Sequence, residues 1–222
     1  MNAEALEKMK SMKFYGMASA FSSCLEDGRM SRMTADEMTS FLVTSEYDDR
    51  HNRRIERYIR NARFRYNASI EKLYFGPERN LDKNQLMRYG ECDFIARAEN
   101  ILITGSTGIG KSYIASALGN QACLMGYKVF YMNITKLFAK LKMMKADGSY
   151  LREISRIEKQ DLLILDDFGL QPLDNQNRAA LMELIEDRHH KKSTIITSQL
   201  PVNGWHDVIG EKTLADAILD RL

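Results

Sequence analysis

Apolar positions recur along this chain with two different periods, and the change from one to the other divides it. Up to about residue 76 the spacing is helical. Leu6, Met9 and Met12, then Met17, Phe21 and Leu25, fall three or four residues apart, with an interruption around Tyr15-Gly16. Thr34-Ala35-Asp36-Glu37 has the form of a capping box, in which a hydroxyl and a carboxylate three residues apart satisfy each other's backbone N–H groups. It predicts the start of a long helix that turns Met38, Phe41 and Leu42 inward. The methionine stripe reads as core, because such a stripe is more often buried than offered to a peptide. Gly76-Pro77 breaks the pattern, and residues 77–98 read as a linker holding one short helix.

From Asn100 onward strands and helices alternate. Apolar runs at 100–104, 128–132, 161–166 and 194–198 predict strands. Helical spacing covers 111–125, the stretch to about 159, about 175–189, and a last segment from about 211 to the end. This alternation predicts a parallel sheet wrapped by helices.

The first predicted strand, Asn100-Ile101-Leu102-Ile103-Thr104, runs directly into Gly105-Ser106-Thr107-Gly108-Ile109-Gly110-Lys111-Ser112, and Tyr113 begins a helical pattern. G-x-x-x-x-G-K-[ST] between a strand and a helix is the phosphate loop of nucleoside triphosphate-binding proteins, also called Walker A. Glycines let the backbone curl until successive N–H groups point at phosphate oxygens, and the helix N-terminus adds its positive end. The cofactor-binding candidates are therefore Gly105, Thr107, Gly108, Ile109, Gly110, Lys111, Ser112 and Tyr113. Lys111 is expected at the β- and γ-phosphates of ATP, and Ser112 at Mg²⁺.

Asp161-Leu162-Leu163-Ile164-Leu165-Asp166-Asp167 supplies the other half of such a site, since ligands of open parallel sheets sit beyond the carboxyl ends of the strands. Asp166 is placed to hold Mg²⁺ and Asp167 to deprotonate an attacking water, which predicts ATP hydrolysis. A further strand lies between the loop strand and the Asp-Asp strand. That separates the chain from simple nucleotide kinases and points to the ATPases with an acidic catalytic residue. The expected fold class is α/β, a P-loop NTPase parallel sheet wrapped by helices, preceded by a small all-helical N-terminal domain. The organisation expected is residues 1–76 as that helical domain, 77–98 as the linker and 99–222 as the ATPase core.

Composition narrows the partners. With 222 residues and a net charge of only +2, any affinity for nucleic acid must come from local clustering. Such a cluster exists: Arg50, Arg53, Arg54, Arg57 and Arg60 fall along one helical stripe, with Tyr58, Phe64 and Tyr66 nearby. Arginine's planar fork suits phosphate, so the stripe is a candidate DNA contact. The competing reading is a solvated face paired with Glu46, Asp48, Asp49 and Glu56. Cys24, Cys92 and Cys123 form neither a metal-ligand spacing nor a disulfide framework, which fits a reducing cytoplasm. No membrane span or signal peptide is expected. His189-His190 read as surface residues facing different directions on a helix.

Over its whole length the chain resembles a known family. The residues that carry the resemblance are Phe14-Tyr15-Gly16-Met17-Ala18, the arginine-rich helix, Glu99-Asn100-Ile101-Leu102-Ile103-Thr104-Gly105, Leu163-Ile164-Leu165-Asp166-Asp167-Phe168-Gly169, Thr197-Ser198-Gln199-Leu200-Pro201, Trp205 and Leu219-Asp220-Arg221-Leu222. These are similar to the IstB-like transposition helper ATPases, relatives of the helicase loader DnaC and the initiator DnaA within the AAA+ superfamily. The resemblance implies an ATP-dependent oligomer that assembles on duplex DNA and assists a transposase. The alternative it leaves open is a replicative helicase loader of the DnaC type, while a small-molecule kinase would need neither DNA nor Arg221. It also implies that Ser198 is a sensor of the γ-phosphate and Arg221 an arginine finger acting in a neighbouring subunit. Many AAA+ proteins carry glutamate where Asp167 stands; the carboxylate set back by about 1.5 Å predicts slow hydrolysis. The family continues past the position of Leu222 into a segment with a second sensor arginine, so the sequence reads as cut before it.

Overall fold

Helices α1 (Asn2–Ser11), α2 (Tyr15–Glu26) and α3 (Ala35–Ala62) carry the N-terminal pattern in the computed structural model, which describes residues 2–76, 79 and 81–222. The capping box forms: Glu37 N–H donates to Thr34 Oγ1 at 3.3 Å and Thr34 N–H donates to Glu37 Oε2 at 2.8 Å. Residues up to Arg57 make one compact unit and Tyr58–Leu222 a second.

In the first unit α2 lies tightly against α3 because Gly16 has no side chain there. A Cβ at that position would meet Asp49 Cβ at 2.6 Å. Glu46 is buried at this contact, accepting from the Met17 N–H at 3.1 Å and from Arg50 Nε at 2.6 Å. Burial pushes its carboxyl up, but those two donors outweigh burial, and the net pKa lies below the ordinary carboxylate value. The motif around Tyr15-Gly16 is thus a helix-docking device. Close approach also explains why the buried apolar residues are Ala18, Ala20, Phe21 and Cys24, whereas Met38, Phe41 and Leu42 are only half-buried.

The second unit is built on a parallel sheet. Among the described residues it has four strands, β1 (Ile101–Thr104), β2 (Val129–Asn133), β3 (Leu162–Phe168) and β4 (Ser193–Ser198), in the order β1-β4-β3-β2. In the chain β2 lies between the loop strand and the Asp-Asp strand; in the sheet β4 does. Helices α4 (Lys83–Gly90), α5 (Asp93–Ala96), α6 (Lys111–Leu124), α7 (Ile134–Ala146), α8 (Tyr150–Glu158), α9 (Asn175–Arg188), α10 (Trp205–Ile209) and α11 (Lys212–Leu219) complete it. Strand alternation sends Leu162 and Ile164 of β3 into one core, with α6, and Leu163 and Leu165 into another, with α7, α9 and Trp205. No helix among the described residues is long and apolar enough to cross a membrane.

Three sequence expectations change here. Pro77, Glu78 and Asn80, where the pattern breaks, lie outside the described residues. The change of period near residue 76 does not coincide with the division at Arg57, because Ala62, Ala68, Ile70 and Leu73 are buried in the same core as Ile101. The stretch expected as a linker with one short helix holds two, α4 and α5, and buries Leu86, Phe94 and Ile95 there. Helix α9 ends at Arg188. His189 and His190 follow its end with ring centroids 3.8 Å apart, because His190 takes a positive φ of 56°.

Two buried side chains tie the sheet to its helices. Arg188 donates to the carbonyls of Ile157, Gln160, Asp161 and Ser193 and to Thr194 Oγ1, gathering the amino ends of β3 and β4; burial lowers its pKa to about 10. Trp205 is fully buried against Phe168, ring centroids 4.6 Å apart, and its indole N–H donates to Leu200 O at 3.1 Å. Replacing Trp205 with alanine is expected to cost about 3–5 kcal/mol, from lost burial plus the cavity left behind. A urea titration of purified protein checks it; a loss under about 1 kcal/mol would show that the site collapses around the smaller side chain.

Candidate nucleotide site

Beyond the carboxyl end of β1 the chain takes the shape that the loop motif requires. Gly105, Gly108 and Gly110 have φ of 146°, 85° and 93°, the left-handed half of conformational space where side chains are disfavoured. The Gly105 N–H donates to Ser198 O, tying the loop's start to β4, and α6 begins at Lys111. The Lys111 ammonium is buried and donates to the carbonyls of Gly105 and Ser106, each at 2.7 Å. Among the described residues it has no carboxylate partner. Arg79 reaches the loop from outside, donating to Ile109 O at 2.5 Å and to Tyr74 O at 2.8 Å. Leu81, Ile103, Ile109 and Ile114 give an apolar wall to a cavity of ≈ 460 Å³ beside the loop, which Arg79 and Lys111 also border.

The two aspartates lie where the loop can use them. Asp166 is fully buried, and three hydroxyls converge on it: Ser112 Oγ donates at 2.7 Å, Thr197 Oγ1 at 2.5 Å, and the Tyr131 hydroxyl in a very short bond. Burial first, then the bond to Asp166, raises the Tyr131 pKa, so the phenol keeps its proton and remains a donor. Ser112 and Asp166, both expected at Mg²⁺, are therefore in direct contact.

Adjacent residues of a strand point to opposite faces, yet Asp166 and Asp167 both meet the Arg65 guanidinium, at 3.5 and 3.1 Å. A β-bulge resolves this. Leu165 pairs with Ile196 and Phe168 with Ser198, so Asp166 and Asp167 together stand opposite Thr197 alone. Asp167 takes a left-handed φ of 61°, a conformation that aspartate tolerates better than most residues. The Thr197 hydroxyl closes the bulge, accepting from the Asp167 N–H at 3.0 Å while donating to Asp166. Asn133, at the end of β2, donates to Asp167 Oδ2 at 3.0 Å and accepts from Lys136 N–H at the start of α7.

Ser198 faces the other way. Its buried hydroxyl donates to Phe168 O at 2.8 Å and accepts from Leu200 N–H at 3.0 Å, so the hydroxyl that β4 delivers to the aspartates is that of Thr197. Period-two alternation along β4 could have separated the two residues. Tyr131, Asn133 and Arg65 carried no such signal.

Arg221 lies at the opposite end of the sheet from the loop. Its carbonyl accepts from Asn100 Nδ2, just ahead of β1, and its guanidinium donates to Ala217 O and pairs with Glu186. In the first unit, Arg50 and Arg53 pair with Glu46 and Asp49 on their own helix and cover the rings of Phe14 and Tyr15. Together with Met12, Lys13, Arg54 and Arg57 they border one concavity. Arg60 belongs to the second unit.

Comparison with known proteins agrees with this geometry. Residues 7–222 match the IstB-like ATP binding protein family. A Sinorhizobium fredii protein named as an insertion sequence ATP-binding protein is 42% identical over 217 residues, 98% of this chain and 89% of the relative. A Pseudomonas fluorescens protein named likewise, for the insertion sequence IS1162, is 36% identical over 202 residues, 90% of this chain and 87% of the relative. The DnaC helicase loader structure superposes with a TM-score of 0.58 at 20% identity, covering 75% of this chain and 96% of that one. AMPPCP-bound DnaA from Aquifex aeolicus gives 0.62 at 19% identity, covering 72% and 50%. At these identities the structures show a shared fold, the parallel P-loop sheet of AAA+ proteins.

Proposed function

The chain belongs to the IstB-like ATP binding protein family, and on that premise we propose that it is a Mg²⁺-dependent ATPase that assembles on duplex DNA and assists the transposase of an insertion sequence. The observation that carries the nucleotide reading is Lys111: a buried ammonium resting on loop carbonyls, without an anionic partner among the described residues, at the mouth of a helix N-terminus. Gly105, Thr107, Gly108, Ile109, Gly110 and Tyr113 would surround the phosphates with it. Ser112 and Asp166 are hard oxygen donors suited to Mg²⁺, which when bound neutralises charge on the β- and γ-phosphates. Asp167, held from one side by Asn133, would take the proton of the attacking water. Thr197 holds the bulge that turns both carboxylates to one side. The insertion-sequence relatives favour the transposition reading over a helicase loader, whose structure is alike in fold alone.

The DNA reading rests on the concavity bordered by Lys13, Arg50, Arg53, Arg54 and Arg57. Because the chain as a whole is nearly neutral, a contact made here would be local, salt-sensitive and indifferent to sequence. Sedimentation with and without ATP and a duplex tests the whole proposal, with assembly expected only when both are present. Substituting Arg53, Arg54 and Arg57 together with glutamine is expected to weaken duplex binding and to lower the salt slope by up to roughly 0.9 per lost phosphate contact. ATP affinity should not change. A triple variant that binds duplex like the parent would return these arginines to the role already visible for Arg53, pairing with Glu46 and Asp49 on its own helix.

A further inference from the structure

Arg65 enters the nucleotide site from a segment that none of the loop or strand motifs includes. Helix α3 stops at Ala62, and Arg63 takes a left-handed φ of 59°. Phe64 then packs into the core beneath α6. Its ring lies against Gly119, where a Cβ would meet Phe64 Cε1 at 2.5 Å, and edge-on to Tyr131 at 6.2 Å between centroids. Tyr66 packs on Tyr113, the residue after the loop's serine, at 6.0 Å. Arg65 is thus held between two aromatic anchors, with its guanidinium carbon 5.5 Å from the Tyr66 ring centre. The flanking rings set where its backbone lies, while the side chain itself is half exposed.

We propose that Arg65 is the resident counter-ion of the Asp166–Asp167 pair and competes with the divalent cation for it. Two carboxylates brought to one side by the bulge repel each other, and the guanidinium at 3.5 and 3.1 Å offsets that repulsion. A divalent cation on Asp166 would place like charge within a few ångströms of the guanidinium, so the two cannot share the pair at full strength. The loss of the arginine contact is then charged against every metal-bound state and against no metal-free one. This inference rests on the nucleotide reading above. It adds that the site's dependence on metal is set by a residue outside its motifs.

The test compares nucleotide affinity with and without metal. A fluorescent methylanthraniloyl analogue of ATP is titrated with the parent, Arg65→Gln and Arg65→Lys, once in saturating Mg²⁺ and once in EDTA. The ratio of Kd in EDTA to Kd in Mg²⁺ should rise roughly three- to tenfold for Arg65→Gln, as expected when a nearby like charge is removed from a half-exposed position. For Arg65→Lys, which keeps the charge, the ratio should stay within about twofold of the parent's. A purely structural role would move both constants together and leave the ratio alone. An unchanged or lowered ratio in Arg65→Gln overturns the competition while leaving nucleotide binding intact. A parent that binds the analogue under neither condition overturns the nucleotide reading, and the competition with it.

Discussion

Lys111→Ala is expected to lower ATP affinity by roughly 10²-fold or more while leaving thermal stability nearly unchanged. The ammonium would make charge-assisted bonds to phosphate oxygens, each contributing about 1.5–3 kcal/mol, and a loss of that size is about one to two powers of ten in Kd per bond. In the protein alone its partners are the Gly105 and Ser106 carbonyls, on an exposed turn where water can replace it. The two effects are therefore separable by calorimetric titration with ATP and a thermal melt of the same samples. Asp167→Asn should behave differently. An asparagine can still accept from Asn133, so nucleotide binding should survive while turnover falls by about 10²–10⁴-fold, the usual contribution of a general base. Loss of binding in that variant would make Asp167 chiefly a metal ligand, and a Lys111→Ala protein that binds ATP like the parent would remove the loop assignment altogether.

Arg221 carries the other large effect. It sits across the sheet from its own loop, so in a single subunit it cannot serve the phosphates beside Lys111. If it reaches a neighbouring subunit's site, ATPase activity per subunit should rise with protein concentration and on adding DNA. Arg221→Ala should then reduce turnover in the assembly by about 10³–10⁵-fold, with little effect on dilute protein. The finger must also give up its pairing with Glu186, a contact between partly exposed groups that contributes little. Mixing is the sharper measurement. Lys111→Ala supplies a finger without a site, Arg221→Ala a site without a finger, and together they should regain activity that neither has. Turnover independent of concentration, with no recovery on mixing, would leave Arg221 a helix-end residue that closes α11 against α9.

Local patterns along the chain were enough for the parts of this protein whose physics is local. A capping box needs only Thr34 and Glu37, and a phosphate loop needs only glycines at positions that must adopt positive φ. Four apolar runs separated by helical periods were enough to imply a parallel sheet, because short parallel strands must be joined by crossovers. The apolar run Leu162–Leu165, fully buried in the sheet, was enough to place Asp166 toward a strand's carboxyl end, although the strand itself runs on to Phe168.

What could not be read that way depends on pairs far apart in sequence. The bulge at Asp166-Asp167 exists because β4 pairs with β3 out of step, and only that pairing shows Thr197, not Ser198, facing the carboxylates. Tyr131 and Asn133 join the site because β2 lies next to β3, a neighbour relation that periodicity does not encode. Arg65 lies a hundred residues from the aspartates it meets; its place is set by Phe64 finding the space beside Gly119. Period and spacing describe which face of an element is buried. Which elements then share an end of the sheet is decided by strand order and packing, and the chemistry of this site is assembled there.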